Sequence, residues 1–191
     1  MRIIAGEFRG RTLIPPKNDK TTRPITDRAK QSLFDILSHR IACSVVFDCF
    51  CGTGSMGLEC LSRGADRVFF FDADRSALTR LKQNIQSLGV ARQSRVVPGD
   101  IFRTIRGIEE QADLIFLDPP YRLVTDIPDR LKELARQLSQ RCNTRNGQLI
   151  FRHDVKDYLS LPGWERIDHR NYGSMTIEIL QPVSVSNTNA D

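Results

Sequence analysis

At 191 residues, 40% apolar and 27% charged, the chain is long enough to bury one sizeable core and short for two full domains. No run of about 18 apolar residues occurs, and Met1 to Glu7 lack the apolar centre of a secretion signal, which argues against a membrane-spanning or exported protein and for a cytoplasmic one. The five cysteines are odd in number and have neither a CxxC nor a zinc-ligand spacing, so they are expected to be reduced thiols, with no metal bound.

The formal charge of +5 becomes informative once it is located. Residues 1–40 hold nine Lys and Arg against four acids, and residues 41–191 hold equal numbers, so the first forty residues carry the whole excess. Arg2, Arg9, Arg11, Lys17, Lys20, Arg23, Arg28 and Lys30 form a candidate basic arm for a polyanion such as nucleic acid, a solvated basic face being the alternative. Within this segment Arg2 to Ala5 and Arg11 to Ile14 flank Gly6 and Gly10 as a β-hairpin would, and Pro15 and Pro16 end it. After the Arg23-Pro24 corner, Thr26 and Asp27 open a helix whose Ala29, Leu33, Ile36 and Leu37 share a face. The expected division is a basic extension over 1–40, a catalytic domain over 41–181 and a polar, disordered tail over 182–191.

From residue 45 onward strands and helices alternate. Val45 to Phe50, Arg67 to Asp72, Ser94 to Val97, Leu114 to Asp118 and Gln148 to Arg152 are the expected strands. Leu78, Leu81, Ile85 and Leu88 form a helical stripe ended by Gly89; Ile127, Leu131, Leu134 and Leu138 form another, begun by Asp126. This order predicts right-handed crossovers and an α/β, Rossmann-like sheet that is mostly parallel. Trp164 to His169 and Ser174 to Leu180 should close it as an antiparallel hairpin.

Three strand ends lead into candidate ligand contacts. After the first, Asp48 precedes Gly52, Gly54 and Gly57, which have G-x-G-x-x-G spacing between a strand and a helix. Both a dinucleotide phosphate loop and the S-adenosylmethionine loop of methyltransferases fit that spacing. The second strand ends in Asp72, 18 residues after Gly54, where a ribose hydroxyl would be held, while Asp74 is the expected cap of the next helix. Asp100 follows the third strand and could accept from an adenine amino group with Ile101 or Phe102 against the base, or it could cap the helix from Ile101.

The fourth strand runs into Asp118-Pro119-Pro120-Tyr121. The prolines fix φ near −65° and donate nothing, so Asp118 and the Pro119 carbonyl make an acceptor pair for an amino group, beside a Tyr121 ring on which a flat heterocycle can stack. Strand, carboxylate, two prolines and an aromatic ring form a far more specific signal than Asp-Pro alone.

Taken together, these motifs resemble the class I, S-adenosylmethionine-dependent methyltransferases that act on exocyclic amino groups. Arg2-Ile3-Ile4-Ala5-Gly6, Arg9-Gly10-Arg11, Arg23-Pro24, Thr26-Asp27-Arg28, the Asp48 to Gly54 loop, Gly57-Leu58-Glu59, Leu61-Ser62-Arg63-Gly64 and Tyr172-Gly173 narrow the resemblance to the RsmD family, over residues 2 to about 180. Cys51, Thr53 and Ile25 depart from the commoner residues of that family at their positions. The resemblance implies methylation of a guanine N2 amino group in 16S ribosomal RNA, on naked RNA or on the 30S subunit or its assembly intermediates, using S-adenosylmethionine; a monomer is expected. Asp118, Pro119, Pro120 and Tyr121 would act on the amine. Asp48, Gly52, Gly54, Gly57, Asp72, Asp100 and Ile101 would bind the cofactor, and Arg2, Arg9, Arg11, Arg23 and Arg28 would meet RNA. Alternatives are a DNA adenine-N6 methyltransferase, an NAD-dependent oxidoreductase, which leaves Asp118 to Tyr121 idle, and a non-catalytic RNA-binding scaffold.

Overall fold

The computed structural model describes residues 1–17 and 25–183, so Lys20 and the Arg23-Pro24 corner lie outside the described residues. Seven strands form one sheet in the order β3-β2-β1-β4-β5-β7-β6. β1 (Val45–Cys49), β2 (Arg67–Asp72), β3 (Ser94–Pro98), β4 (Leu114–Leu117) and β5 (Gln148–Asp154) are parallel. β7 (Met175–Pro182) runs antiparallel to both β5 and the edge strand β6 (Trp164–Tyr172), whose register slips between Arg166 and Asp168. The closing hairpin is longer than expected, because β6 continues through Tyr172.

Period-two alternation divides the core between the two faces of the sheet. Val46, Phe70, Leu114, Phe116 and Ile150 pack on one side with α1 (Asp27–Ile36), α3 (Ser55–Ser62) and α4 (Arg75–Leu88). Phe47, Phe69, Phe71, Ile115, Leu117 and Phe151 pack on the other with α5 (Ile101–Thr104), α6 (Tyr121–Asp126) and α7 (Pro128–Ser139). A short α2 (Ser38–Ile41) leads into β1. Among the described residues no helix is long and apolar enough to cross a membrane.

Helix ends follow their local chemistry. Thr26 caps α1 by accepting from the Ala29 N–H, Asp74 caps α4 through Ser76 and Ala77, and Gly89 ends α4 at φ 73°. The start expected at Asp126 differs. Asp126 closes α6, and Pro128 holds Ile127 out of helical geometry (φ −137°, ψ 50°), so α7 begins at Pro128. On α1 the buried face is Ala29, Lys30, Leu33 and Phe34; Ile36, expected inside, is 38% exposed.

The N-terminal hairpin is present in its crossing bonds, Ile3 N–H to Arg11 O at 3.0 Å and Leu13 N–H to Met1 O at 3.0 Å, but only one antiparallel bridge forms, Arg2 to Thr12. Four more of its backbone donors are taken by α3. Ile4 and Ala5 N–H donate to the Glu59 carboxylate (2.8 and 3.0 Å), and Glu7 and Phe8 N–H donate to the Ser62 carbonyl and hydroxyl (2.7 and 3.0 Å). Glu59 is fully buried and is also paired with Lys30 (3.0 Å) and Arg63 (2.9 Å). Lys30, counted above with the basic arm, is therefore an internal partner at 2% exposure. Ile3, Leu13, Leu33 and Phe34 belong to the same apolar cluster as Val46 and Phe70, and the Phe34 ring stacks on Phe116 of β4 at 5.9 Å.

Candidate active site

The chain builds outward from β1 to β2 and β3, then crosses back to place β4 on the other side of β1. Between β1 and β4 the strand order reverses, and in such sheets a crevice opens there at the carboxyl ends of the strands. An open cleft of about 660 Å³ lies at this point, lined by Asp48, Phe50, Gly52, Thr53, Asp118 and Arg152 among others, with Met1, Pro16 and Ile25 contributed by the N-terminal segment. Behind Asp118 and Arg152 is a smaller apolar recess walled by Leu33, Met56, Phe116, Ile150 and Ile177.

On the β1 side, three glycines with one sequence spacing have three different surroundings. Gly52 (φ 56°) faces open space, with nothing within 4 Å of where a Cβ would stand. A Cβ on Gly54 (φ 87°) would come within 2.4 Å of Leu81, and one on Gly57 within 2.4 Å of Phe70 and 2.7 Å of Val68. Gly52 thus lets a ligand approach the loop, while Gly54 and Gly57 let α3 lie close to α4 and β2. Asp48 is buried, and its Oδ2 accepts the Gly57 N–H at 2.9 Å. Burial pushes its carboxyl up to about 7, opposed by that N–H and reinforced by Asp118 and Asp72.

Asp72 fastens the loop. Its Oδ2 accepts from Gly52 N–H at 2.7 Å and its Oδ1 from Asp74 N–H at 2.8 Å; burial raises its carboxyl above the ordinary range despite these bonds. Asp100 is the cap that its position also allowed: Oδ1 accepts from Phe102 N–H at 3.1 Å, and Oδ2 pairs with Arg130 at 3.1 Å. Ile101, expected against a base, is 3% exposed and turned into the core with Ile105 and Ile108. Phe102 is half-buried instead, packed edge to face on Phe50 at 6.0 Å with Arg130 over its ring at 4.2 Å. Phe50 has a left-handed backbone (φ 62°), which sequence periodicity does not signal.

On the β4 side, Asp118 leaves the strand end half-buried and Pro120 starts α6 by accepting the Leu123 N–H at 2.8 Å, which leaves the Pro119 carbonyl as the candidate second acceptor. Tyr121 opens α6. The residue missed in the sequence is Arg152. Its Nε donates to Asp118 Oδ1 at 2.5 Å, and its guanidinium lies 5.9 Å from the centre of the Tyr121 ring. Parity could have found it, because positions 114, 116 and 118 of one strand and 150 and 152 of its neighbour face the same side.

Of the predicted arginines, the described ones, Arg2, Arg9, Arg11 and Arg28, do not gather at the cleft. Arg2 pairs with Asp27 at 2.9 Å, Arg11 donates to the Ser87 carbonyl at 2.9 Å, and Arg9 and Arg28 are exposed. Because Glu7 and Phe8 are bound to Ser62, the far end of α3, the turn carrying Arg9 stands about a helix length (roughly 12 Å for eight residues) from Ser55 at the cleft. Arg23 lies outside the described residues.

The profile of the family described as conserved hypothetical protein 95 matches residues 1–181. Over 187 residues the chain is 40% identical to the ribosomal RNA small subunit methyltransferase D of Haemophilus influenzae, covering 95% of this chain and 93% of that protein. The Escherichia coli protein of the same name is 36% identical over 122 residues, 64% of this chain and 61% of its own length. Among solved structures, yhhF of Escherichia coli, described only provisionally as a methyltransferase, matches with a TM-score of 0.79 at 28% identity, covering 95% of this chain and 97% of that one. A Haemophilus influenzae protein described as a provisional methylase matches with a TM-score of 0.75 at 27% identity, covering 96% and 98%. The chain therefore belongs to the conserved hypothetical protein 95 family, the RsmD family of class I methyltransferases that its motifs had led us to expect.

Proposed function

We propose that this methyltransferase moves a methyl group from S-adenosylmethionine to the exocyclic N2 amino group of a guanine in small-subunit ribosomal RNA. One observation carries the reading: Asp118, which opens the turn to Tyr121 at the end of β4, shares a cleft with the Gly52 loop at the end of β1, so acceptor and donor groups can meet there. The names of the relatives support RNA as the acceptor.

S-adenosylmethionine, when bound, supplies an electrophilic methyl whose carbon–sulfur bond breaks toward sulfur as the amine nitrogen bonds to carbon. The residues present suit such a donor, with an open Gly52 backbone and Asp48 on the cleft wall. Asp72 and Asp100 at the ends of β2 and β3 are the candidate partners for ribose and adenine hydroxyl or amino groups, and Phe50 and Phe102 offer the apolar wall that Ile101 does not. An aromatic amine is a weak nucleophile, so the protein's contribution is orientation and charge stabilisation. Asp118 and the Pro119 carbonyl hold the amine, and Asp118 faces the positive charge that grows on nitrogen until a proton leaves. Tyr121 gives an unstacked guanine a surface; withdrawing it from an unpaired loop costs a few kcal/mol or less.

Incubating small-subunit RNA and small-subunit particles with labelled S-adenosylmethionine, followed by nucleoside analysis, tests this directly. N2-methylguanosine is expected with wild type and none with Asp118→Ala, whose affinity for S-adenosylmethionine by calorimetry should stay within about threefold of wild type because the residue acts on the acceptor. Label appearing in N6-methyladenosine, or tight NAD binding without S-adenosylmethionine binding, would overturn the assignment.

A further inference from the structure

Asp118 lacks the local support that steadies the carboxylates at the ends of β2 and β3. Asp72, Asp74 and Asp100 each accept a backbone N–H from the residue two positions on, the usual way an aspartate at a strand or helix end is fixed. Asp118 is followed by Pro119 and Pro120, which have no N–H to give. The side-chain donor that reaches Asp118 comes from elsewhere in the chain. β4 and β5 are paired in parallel with Leu117 opposite Phe151, and one step further along this register Arg152 stands beside Asp118. Its Nε reaches Asp118 Oδ1 at 2.5 Å, its Nη1 lies 3.6 Å from Met175 Sδ, and the side chain is 12% exposed. Burial works against the charge of this guanidinium, but Asp118, with smaller help from Tyr121 and Asp48, outweighs it and holds it cationic.

We propose that Arg152 is the positioning residue of the acceptor half: it fixes the Asp118 carboxylate and the Tyr121 ring in one relative placement, so that an amine accepted by Asp118 arrives in line for transfer. The proposal rests on the methyltransferase function set out above. An ionised carboxylate has about four lone-pair sites, so Asp118 can accept an amine hydrogen while the pair to Arg152 persists. Arg suits the task and Lys does not, since Nε approaches the carboxylate side-on from a planar, pre-organised group. The apolar recess shared by the two residues then serves as the floor on which the pair is set, walled by Leu33, Phe116, Ile150 and Ile177.

The test compares wild type, Arg152→Lys and Arg152→Ala in the labelled-methyl assay, with thermal unfolding and S-adenosylmethionine calorimetry on each. A misplacement of about 1 Å in a reacting group can cost about 100-fold, so Arg152→Ala should lower kcat by roughly that factor with the cofactor affinity changed by less than about threefold. Added methylguanidine should restore part of the loss in Arg152→Ala, which a brace needed only for folding would not allow. Arg152→Lys, which keeps the charge and is the milder change for folding, should fall between the two. Unchanged kcat in both variants, or loss of kcat strictly in step with loss of folded protein, would overturn the positioning role. Absence of labelled product in wild type would instead overturn the function on which it rests, so the two failures are distinct.

Discussion

Replacing Glu59 by Gln removes one charge from the most enclosed ionic cluster of the described residues. Glu59 is 0% exposed, Lys30 beside it 2%, and Arg63 13% at the side chain. Burial by itself would raise the Glu59 carboxyl, yet Lys30, the Ile4 N–H and Arg63 together hold it below its usual range. Breaking a buried pair from one side leaves the other charge uncompensated and costs about 3–5 kcal/mol. For a chain of this size about 2–4 °C is lost per kcal/mol, so Glu59→Gln should unfold about 6–20 °C lower. The deficit should depend on pH in a definite direction. Lys30 is already pushed below its ordinary value by burial, with Glu59 opposing, and without Glu59 its folded value falls further. A lysine whose folded value is depressed binds fewer protons folded than unfolded, so stability rises with pH, and urea unfolding should show a smaller deficit at about pH 9.5 than at about pH 7. Lys30→Met combined with Glu59→Gln should be more stable than Glu59→Gln alone. A deficit below about 1 kcal/mol at neutral pH, or one that does not change with pH, would refute the account of the cluster. The effect should also reach the cleft, because Ile4 and Ala5 hang from Glu59 and Met1 lines the cleft wall.

Asp48 gives a second pH signature: burial raises its folded value to about 7 from 3.8, so its contribution is present below the unfolded value and lost as pH rises through about 7, a swing of roughly 4 kcal/mol. Asp48→Asn keeps an acceptor for the Gly57 N–H and should therefore gain stability on wild type between about pH 4 and pH 8; parallel unfolding curves across that window would dismiss the burial argument. Charge reversal at Arg9, which is exposed, should weaken RNA binding and reduce the slope of log affinity against log salt by about one, with a smaller change at Arg11, already engaged by Ser87. An unchanged slope in filter binding at several salt concentrations would remove the N-terminal turn from the RNA surface.

Most of the sheet was legible because the central parallel strands β1, β2 and β4 are short apolar runs that lead into a charge. Asp48, Asp72 and Asp118 mark such ends, and their neighbours in the strand are buried on both faces. Asp74 and Gly89 were legible for the same local reason, as caps. What escaped depends on contacts between distant segments. Nothing near Lys30 in sequence distinguishes it from the exposed arginines around it, since its partner Glu59 lies three elements on, in α3. Arg152 required the register of β5 on β4, and the different surroundings of Gly52, Gly54 and Gly57 required knowledge of which helix crosses which strand. The sequence leaves open whether Ile101 or Phe102 follows Asp100 against a base, and the short helix α5 decides it by turning Ile101 inward and leaving Phe102 facing Phe50.

The edge strand β6 bears on a different matter, the protein's behaviour at high concentration. Among the described residues one side of β6 has no strand beside it, and an open row of N–H and C=O groups invites another sheet to add on. Glu165, Arg166, His169 and Arg170 are all exposed along it, and Arg170 is tied to Asp168 at 2.9 Å. The slip between Arg166 and Asp168 breaks the regular spacing just where Ile167, 46% exposed, would otherwise offer an apolar foothold. A second copy docking edge to edge would have to strip water from these charges along an irregular ladder, so the hairpin that completes the sheet also guards it against aggregation.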